Sequence, residues 1–145
     1  MRESPHRTFR TSSNDETVEL GRMIARSLPK KACVLLIGNL GAGKTTLAKG
    51  IIHGLGFAEP DEVVSPTFTL IHEYGGGRIY HIDLYRLDKP EQVATLGLDD
   101  ILDRDAVVLI EWGERFPELL PRLRIEIRLT AVGDDERQIA IKTVL

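Results

Sequence analysis

The chain has 145 residues, the length of one typical domain, and 42% of them are hydrophobic, which is enough for a buried core. Its net charge of −3 at pH 7 argues against a general electrostatic attraction to nucleic acid. The single cysteine, Cys33, excludes an intramolecular disulfide, and we interpret it as an unreactive core residue in a reducing compartment.

The amino-terminal region is polar and leads into a helix signal. Residues 1–6 contain no apolar segment of a secretory signal and are predicted to be frayed, and residues 7–11 predict a short edge strand. Ser13 and Glu16 have the spacing of a capping box, which opens a helix that Pro29 ends. Because apolar runs along the chain are far shorter than the ~20 residues of a membrane span, we expect a cytoplasmic protein without membrane contact.

The most informative segment is residues 38–45, which match the phosphate-binding pattern G-x-x-x-x-G-K-[ST]. The apolar run 32–37 before it predicts a buried strand, and residues 45–52 after it predict a helix. In such a P-loop, Lys44 reaches the phosphates and the Thr45 hydroxyl binds Mg²⁺. The segment expected to hold the nucleotide is Asn39, Leu40, Gly41, Ala42, Gly43, Lys44, Thr45 and Thr46.

The middle of the chain predicts a β-hairpin followed by short helices. Residues 63–67 indicate a loop or short strand. Residues 67–74 and 78–84 alternate between apolar and polar on either side of the triple glycine 75–77. Residues 90–102 predict one or two short helices.

The last third adds a second apolar strand and a second hairpin. Residues 106–112 are typical of a strand buried on both faces, and residues 113–120 predict a short helix. Residues 124–129 and 137–142 alternate and predict a hairpin with one wet face. Strands interleaved with helices predict an α/β three-layer P-loop NTPase fold. We expect a mostly parallel central sheet with an antiparallel hairpin extension, in one domain over residues 1–145.

A P-loop needs an acid to hold Mg²⁺ at the end of a neighbouring strand, and the chain offers two. Glu111 and Asp83 each end a predicted strand, where the crevice of a parallel sheet lies. Thr67 lies in a Ser-Pro-Thr segment that is either a switch-like loop near the γ-phosphate or an ordinary turn. His81 is either a polar strand residue, which we favour, or a partner of the site.

The sequence favours ATP as the nucleotide. Neither the N-K-x-D nor the D-x-x-G motif of GTPases is present, and the dinucleotide pattern G-x-G-x-x-G fails at Thr46. Arg86 and Arg115 could contact phosphates or a partner, but single arginines are more often surface charges. Two other functions remain open, a small-molecule kinase and a nucleotide-gated binding module without turnover.

Four segments in this order resemble the TsaE family of small bacterial ATPases. They are Gly38–Thr46, the S-P-T-F-T-L sequence of residues 65–70, the H-I-D-L-Y-R-L sequence of residues 81–87, and Ile110–Trp112. The resemblance covers roughly residues 8–130. It implies weak ATP hydrolysis that serves the synthesis of threonylcarbamoyladenosine (t6A) at position 37 of tRNAs reading codons that start with A.

The resemblance also implies residue roles and partners. Lys44 and Thr45 would bind phosphate and Mg²⁺, Thr67 would lie near the γ-phosphate, and Asp83 would be linked to Mg²⁺. Glu111 would take the Walker B place, with Trp112 beside the nucleotide. The family usually has an acid where this chain has Asn39. The implied partners are a TsaD-like transferase subunit and its TsaB-like paralogue, with tRNA reached through the complex.

Overall fold

The computed structural model describes residues 7–67 and 69–144, so the expectation that residues 1–6 are frayed lies outside the described residues. The strands are β1 Arg7–Thr11, β2 Ala32–Ile37, β3 Ile71–Tyr74, β4 Ile79–Asp83, β5 Val107–Glu111, β6 Arg124–Ala131 and β7 Arg137–Val144. The α-helices are α1 Asn14–Ser27, α2 Lys44–Gly54, α3 Pro90–Ala94 and α4 Leu98–Asp103. Short 3₁₀ turns cover Pro60–Glu62, Gly113–Arg115 and Pro117–Leu119.

The seven strands form one sheet in the order β1-β7-β6-β2-β5-β4-β3. The four central strands, β6, β2, β5 and β4, are parallel, whereas β1, β7 and β3 pair antiparallel with their neighbours. The carboxyl ends of the parallel strands therefore meet at one edge of the sheet, the usual place for a ligand crevice. The mixed α/β sheet with a parallel centre is confirmed.

Helices cover both faces of the sheet. Alternate residues of β2 enter different apolar clusters, because successive side chains of a strand point to opposite faces. Val34 and Leu36 pack in the cluster under α1 and α2, while Leu35 and Ile37 pack in the cluster under α3 and α4. The prediction of a buried strand is confirmed for β2. Cys33 is also buried, and burial raises the pKa of its thiol to about 12, so the thiolate is scarce at neutral pH.

Helices α1 and α2 approach each other closely through glycines. A Cβ added to Gly21 would lie 2.6 Å from the Leu47 carbonyl oxygen, and one added to Gly50 would collide with the Val18 carbonyl oxygen. Only glycine leaves room for backbone contact at these positions. The Ser13 hydroxyl accepts from the Glu16 backbone N–H at 3.1 Å, which confirms the predicted helix start.

Two predicted elements were wrong in extent. The strand predicted over 67–74 begins only at Ile71, because Leu70 adopts a φ of 70° and its N–H bonds back to the Pro66 carbonyl. The helix predicted over 113–120 is two 3₁₀ turns, with Pro117 opening the second. None of the helices within the described ranges is long and apolar enough to cross a membrane.

Candidate nucleotide site

The candidate site lies where three neighbouring strands end. Strand β2 runs into the P-loop and then into α2, which begins at Lys44. The next strands in the sheet end in acids, Glu111 on β5 and Asp83 on β4, and these two residues are direct register partners. The acids predicted to serve the P-loop are thus brought to its side by the parallel pairing.

The P-loop has the backbone that anion binding requires. Gly41 and Gly43 have φ values of 78° and 100°, a region that side-chain-bearing residues rarely adopt. Gly43 is the N-cap residue of α2 and makes no side-chain cap hydrogen bond. The first N–H groups of that helix lack helical acceptors, so they are available to an anion. A Cβ at Gly38 would lie 2.7 Å from the Leu129 carbonyl oxygen, so the loop also needs glycine where it packs on β6.

Lys44 is a buried cation whose direct contacts are uncharged. Its side chain is 5% exposed, its Nζ donates to the Gly38 carbonyl at 2.7 Å, and Nζ lies 3.7 Å from the centre of the Trp112 ring. Burial lowers the pKa of Lys44, although Glu111 and other nearby acids act in the opposite direction. A phosphate bound at the loop would supply the anionic partner that favours the charged form.

Glu111 is the centre of a buried hydrogen-bond network. The Thr45 hydroxyl donates to its Oε2 at 3.2 Å, and His81 Nε2 lies 2.6 Å from the same oxygen. His81 is completely buried, and its Nδ1 has no partner among the described residues. The interpretation of His81 as an ordinary polar strand residue was wrong: its ring is held against the acid of the candidate site.

Asp83 is tied to the Ser-Pro-Thr loop instead. The Thr67 hydroxyl donates to Asp83 Oδ2 at 2.8 Å and lies 2.8 Å from the Ser65 hydroxyl oxygen. The other carboxylate oxygen accepts from the Tyr85 backbone N–H at 2.9 Å. Between the turn and the switch-like loop that the sequence left open, this contact favours a loop coupled to the site.

A cavity of about 310 Å³ joins these groups. Its lining includes the predicted residues Leu40, Gly41, Gly43, Lys44, Thr45, Thr46, Thr67, Asp83, Glu111 and Trp112. Asn39 and Ala42 are outside this lining and instead line a smaller depression together with Arg128. The position where the family usually has an acid therefore does not line the cavity.

Three further lining residues were missed by sequence reasoning: Asn14, Tyr85 and Arg137. Tyr85 belongs to the H-I-D-L-Y-R-L segment, two residues after Asp83, and this closeness in sequence could have suggested it. Its ring lies 5.1 Å from that of Trp112. Asn14 and Arg137 come from opposite ends of the chain and carry no local motif. Arg115 does not line the cavity, and its Nη1 donates to the Tyr85 carbonyl at 2.8 Å.

The oxygen donors at the site suit magnesium better than a softer metal. Within the described ranges, no group of three His, Cys, Asp or Glu side chains could hold a metal by itself. A Thr45 hydroxyl beside Glu111, with Asp83 nearby, leaves several positions to water and phosphate, as Mg²⁺ prefers. The side chains present therefore fit a metal–nucleotide complex.

The family model described as threonylcarbamoyl adenosine biosynthesis protein TsaE matches residues 11–139, which include every lining residue of the cavity. The chain belongs to the TsaE family. The resemblance seen in the four sequence segments is confirmed, and it extends beyond residue 130 into the last hairpin.

Relatives and a solved structure of similar fold agree with this family. The chain is 39% identical to a Bacillus subtilis protein over 94% of this chain and 85% of the relative, and 43% identical to a Nostoc protein over 90% and 82%. Both relatives are named tRNA threonylcarbamoyladenosine biosynthesis protein TsaE. The crystal structure of Bacillus subtilis YdiB superposes with a TM-score of 0.79 and 34% identity, over 97% of this chain and 87% of YdiB.

Proposed function

We propose that the chain is a magnesium-dependent ATP-binding protein with weak ATPase activity that serves t6A synthesis at position 37 of tRNAs reading codons that start with A. The observation that carries the proposal is the meeting of Lys44, Thr45 and Glu111 at the carboxyl edge of a parallel sheet. The names of the TsaE relatives support the pathway. The absence of GTPase motifs from the sequence supports ATP.

In this proposal the P-loop and Lys44 bind the phosphates, while Thr45 and Glu111 would hold Mg²⁺, whose charge would offset the negative charge of the phosphates. Glu111 is the more direct metal residue of the two acids because it already contacts the Thr45 hydroxyl. Asp83 would be linked to Mg²⁺ through the loop, since it accepts a hydrogen bond from the Thr67 hydroxyl. Trp112 lies over Lys44 and would therefore be beside the bound nucleotide.

Thr67 couples the nucleotide to the Ser-Pro-Thr loop. Among the described residues of this loop, the Thr67 hydroxyl makes the hydrogen bond to Asp83, so a nearby γ-phosphate would reorganise the loop at small cost. The reordered loop would present a surface to a TsaD-like subunit and its TsaB-like paralogue, through which tRNA is reached. Hydrolysis by the isolated protein is slow in this proposal, and a group supplied by a partner can accelerate phosphoryl transfer by ~10³–10⁵.

Steady-state ATP hydrolysis, measured alone and with the partner proteins, tests the proposal. Lys44→Ala is the blank, and Lys49→Ala is the matched control because it removes the same charge from the same helix outside the cavity. We expect slow turnover alone, strong stimulation by the partners, and loss of both in Lys44→Ala only.

Two outcomes would replace the proposal. Function supported equally by an unhydrolysable ATP analogue would favour the gated binding module. Transfer of the γ-phosphate to a small acceptor would favour the kinase. Turnover of tens per second by the isolated protein would contradict activation by a partner.

A further inference from the structure

Arg137 reaches the P-loop from the far end of the chain. It is the first residue of β7, where it pairs with Ala131 of β6 and Thr11 of β1. Because β6 runs parallel to β2, its carboxyl end and the turn that follows lie at the edge where the P-loop begins. The sheet topology therefore places the start of β7 beside the candidate site.

The guanidinium bridges the hairpin turn and the loop. Its Nη1 donates to the carbonyl oxygens of Gly133, Asp134 and Glu136 at 3.3, 3.3 and 2.9 Å, and its Nη2 donates to the Gly41 carbonyl at 3.3 Å. All of these acceptors are neutral backbone groups. The contacts fix the position of the side chain without neutralising its charge.

Two features of Arg137 are not explained by a purely structural role, in which it only holds the β6–β7 turn against the P-loop. Its Nε is buried and has no hydrogen-bond partner, and no acid within the described ranges forms an ion pair with its guanidinium. A Cβ built on Gly43 would lie 3.5 Å from that Nε, so the side chain packs directly on the glycine turn. Arg137 therefore brings an unpaired buried N–H and a positive charge without an acidic partner to an anion-binding loop. Both features favour contact with an anionic acceptor.

We propose that Arg137 contacts the phosphate chain of the bound nucleotide and is, with Lys44, a second cation of the site. The two are the only Lys or Arg side chains among the described residues that line the cavity. This inference rests on the proposed ATP binding and adds to it a residue from the last hairpin. If Arg137 contacts the phosphates, the order of the β6–β7 turn also depends on the nucleotide, because the same guanidinium donates to the turn carbonyls.

The test is ATP affinity, measured through the fluorescence of Trp112, the single tryptophan of the chain. Arg137→Ala is compared with Arg10→Ala. The latter removes the same charge from an exposed residue that pairs with Glu136 at 3.4 Å on the same turn. Thermal unfolding without nucleotide is measured for each variant. Arg137→Gln, which keeps an amide donor for the turn carbonyls, replaces the alanine variant if that variant does not fold.

We expect the Kd for ATP to rise about tenfold or more in Arg137→Ala or Arg137→Gln, the loss typical of a charge-assisted hydrogen bond. Arg10→Ala should stay within about twofold of the wild type, since its side chain is outside the cavity. Equal affinity of the Arg137 variants and the wild type, with only a lower unfolding temperature, would overturn the inference and leave a structural brace. A wild-type protein that binds no ATP would instead refute the proposed function.

Discussion

His81 Nε2 lies 2.6 Å from Glu111 Oε2, and both side chains are buried. A carboxylate oxygen only accepts hydrogen bonds, so the imidazole donates through Nε2 and fixes the orientation of the acid. The same oxygen accepts the Thr45 hydroxyl, which connects the histidine to the first turn of α2. His81 is therefore a positioning residue for the acid proposed to hold Mg²⁺.

Replacing His81 should impair Mg²⁺ use more than nucleotide binding. His81→Leu removes the donor and leaves Glu111 buried with one partner fewer, so we expect a loss of about 1–3 kcal/mol in the free energy of unfolding. The Mg²⁺ concentration for half-maximal ATP-induced change in Trp112 fluorescence should rise about tenfold. His81→Gln, which can donate from a similar position, is the matched variant and should restore most of that response. Identical Mg²⁺ dependence in the leucine and glutamine variants would contradict the positioning role.

Removing the Lys44 charge should stabilise the protein while abolishing its function. Burial lowers the pKa of Lys44, so the charged side chain costs stability in the folded state at neutral pH. Lys44→Met should therefore have a higher free energy of unfolding without nucleotide, and its ATP affinity should fall at least about tenfold. Urea unfolding and fluorescence titration measure the two effects.

The difference in the free energy of unfolding between the wild type and Lys44→Met should change with pH in a defined direction. Between the lowered pKa of Lys44 and the usual pKa of a lysine, the unfolded chain binds more protons than the folded protein. The stability of the wild type relative to Lys44→Met should therefore rise with pH across this window, because there the buried lysine has lost its proton while a lysine of the unfolded chain still carries one. A difference that is independent of pH, or a less stable methionine variant, would show that Lys44 is well accommodated when charged.

The Thr67 hydroxyl should matter for turnover more than for affinity. Thr67→Val keeps the shape of the side chain but removes the donor to Asp83. We expect hydrolysis to fall about tenfold or more, as for loss of a positioned catalytic contact, with ATP affinity within about threefold. Thr69→Val is the control because its hydroxyl, 2.7 Å from His72 Nε2, belongs to the same region but not to the cavity. Equal rates of ATP hydrolysis in Thr67→Val and Thr69→Val would show that the Thr67 hydroxyl has no role in the reaction.

Gly50 should be essential for the packing of α1 on α2. Alanine is the better helix former, and at a free helix position Gly→Ala stabilises by up to about 1 kcal/mol. Here its Cβ would collide with the Val18 carbonyl, so we expect a net loss of about 1–3 kcal/mol in urea unfolding. Lys49→Ala, one residue away on α2, should change stability by less than about 0.5 kcal/mol. A Gly50→Ala protein that is more stable than the wild type would mean that the helices can separate without cost.

The sequence by itself determined the local parts of this protein. An apolar run followed by a glycine loop and Lys-Thr can only place a strand, an anion-binding turn and a helix N-terminus in succession, because each step depends on neighbouring residues. The acids Asp83 and Glu111 were predictable for the same reason, since each ends its own apolar strand. The start of β3 was not, because the left-handed Leu70 ends the alternation without a glycine to mark it.

Only the tertiary structure decided which distant residues share the site. His81 has the sequence pattern of any polar strand residue, and its role appears only when β4 lies beside β5 and the ring meets Glu111. Arg137 is more than ninety residues from the P-loop, and its contact with Gly41 depends on β6 pairing in parallel with β2. Strand order depends on how whole faces of the sheet pack against the helices. These contacts join segments distant in sequence, so a short stretch of sequence does not predict them.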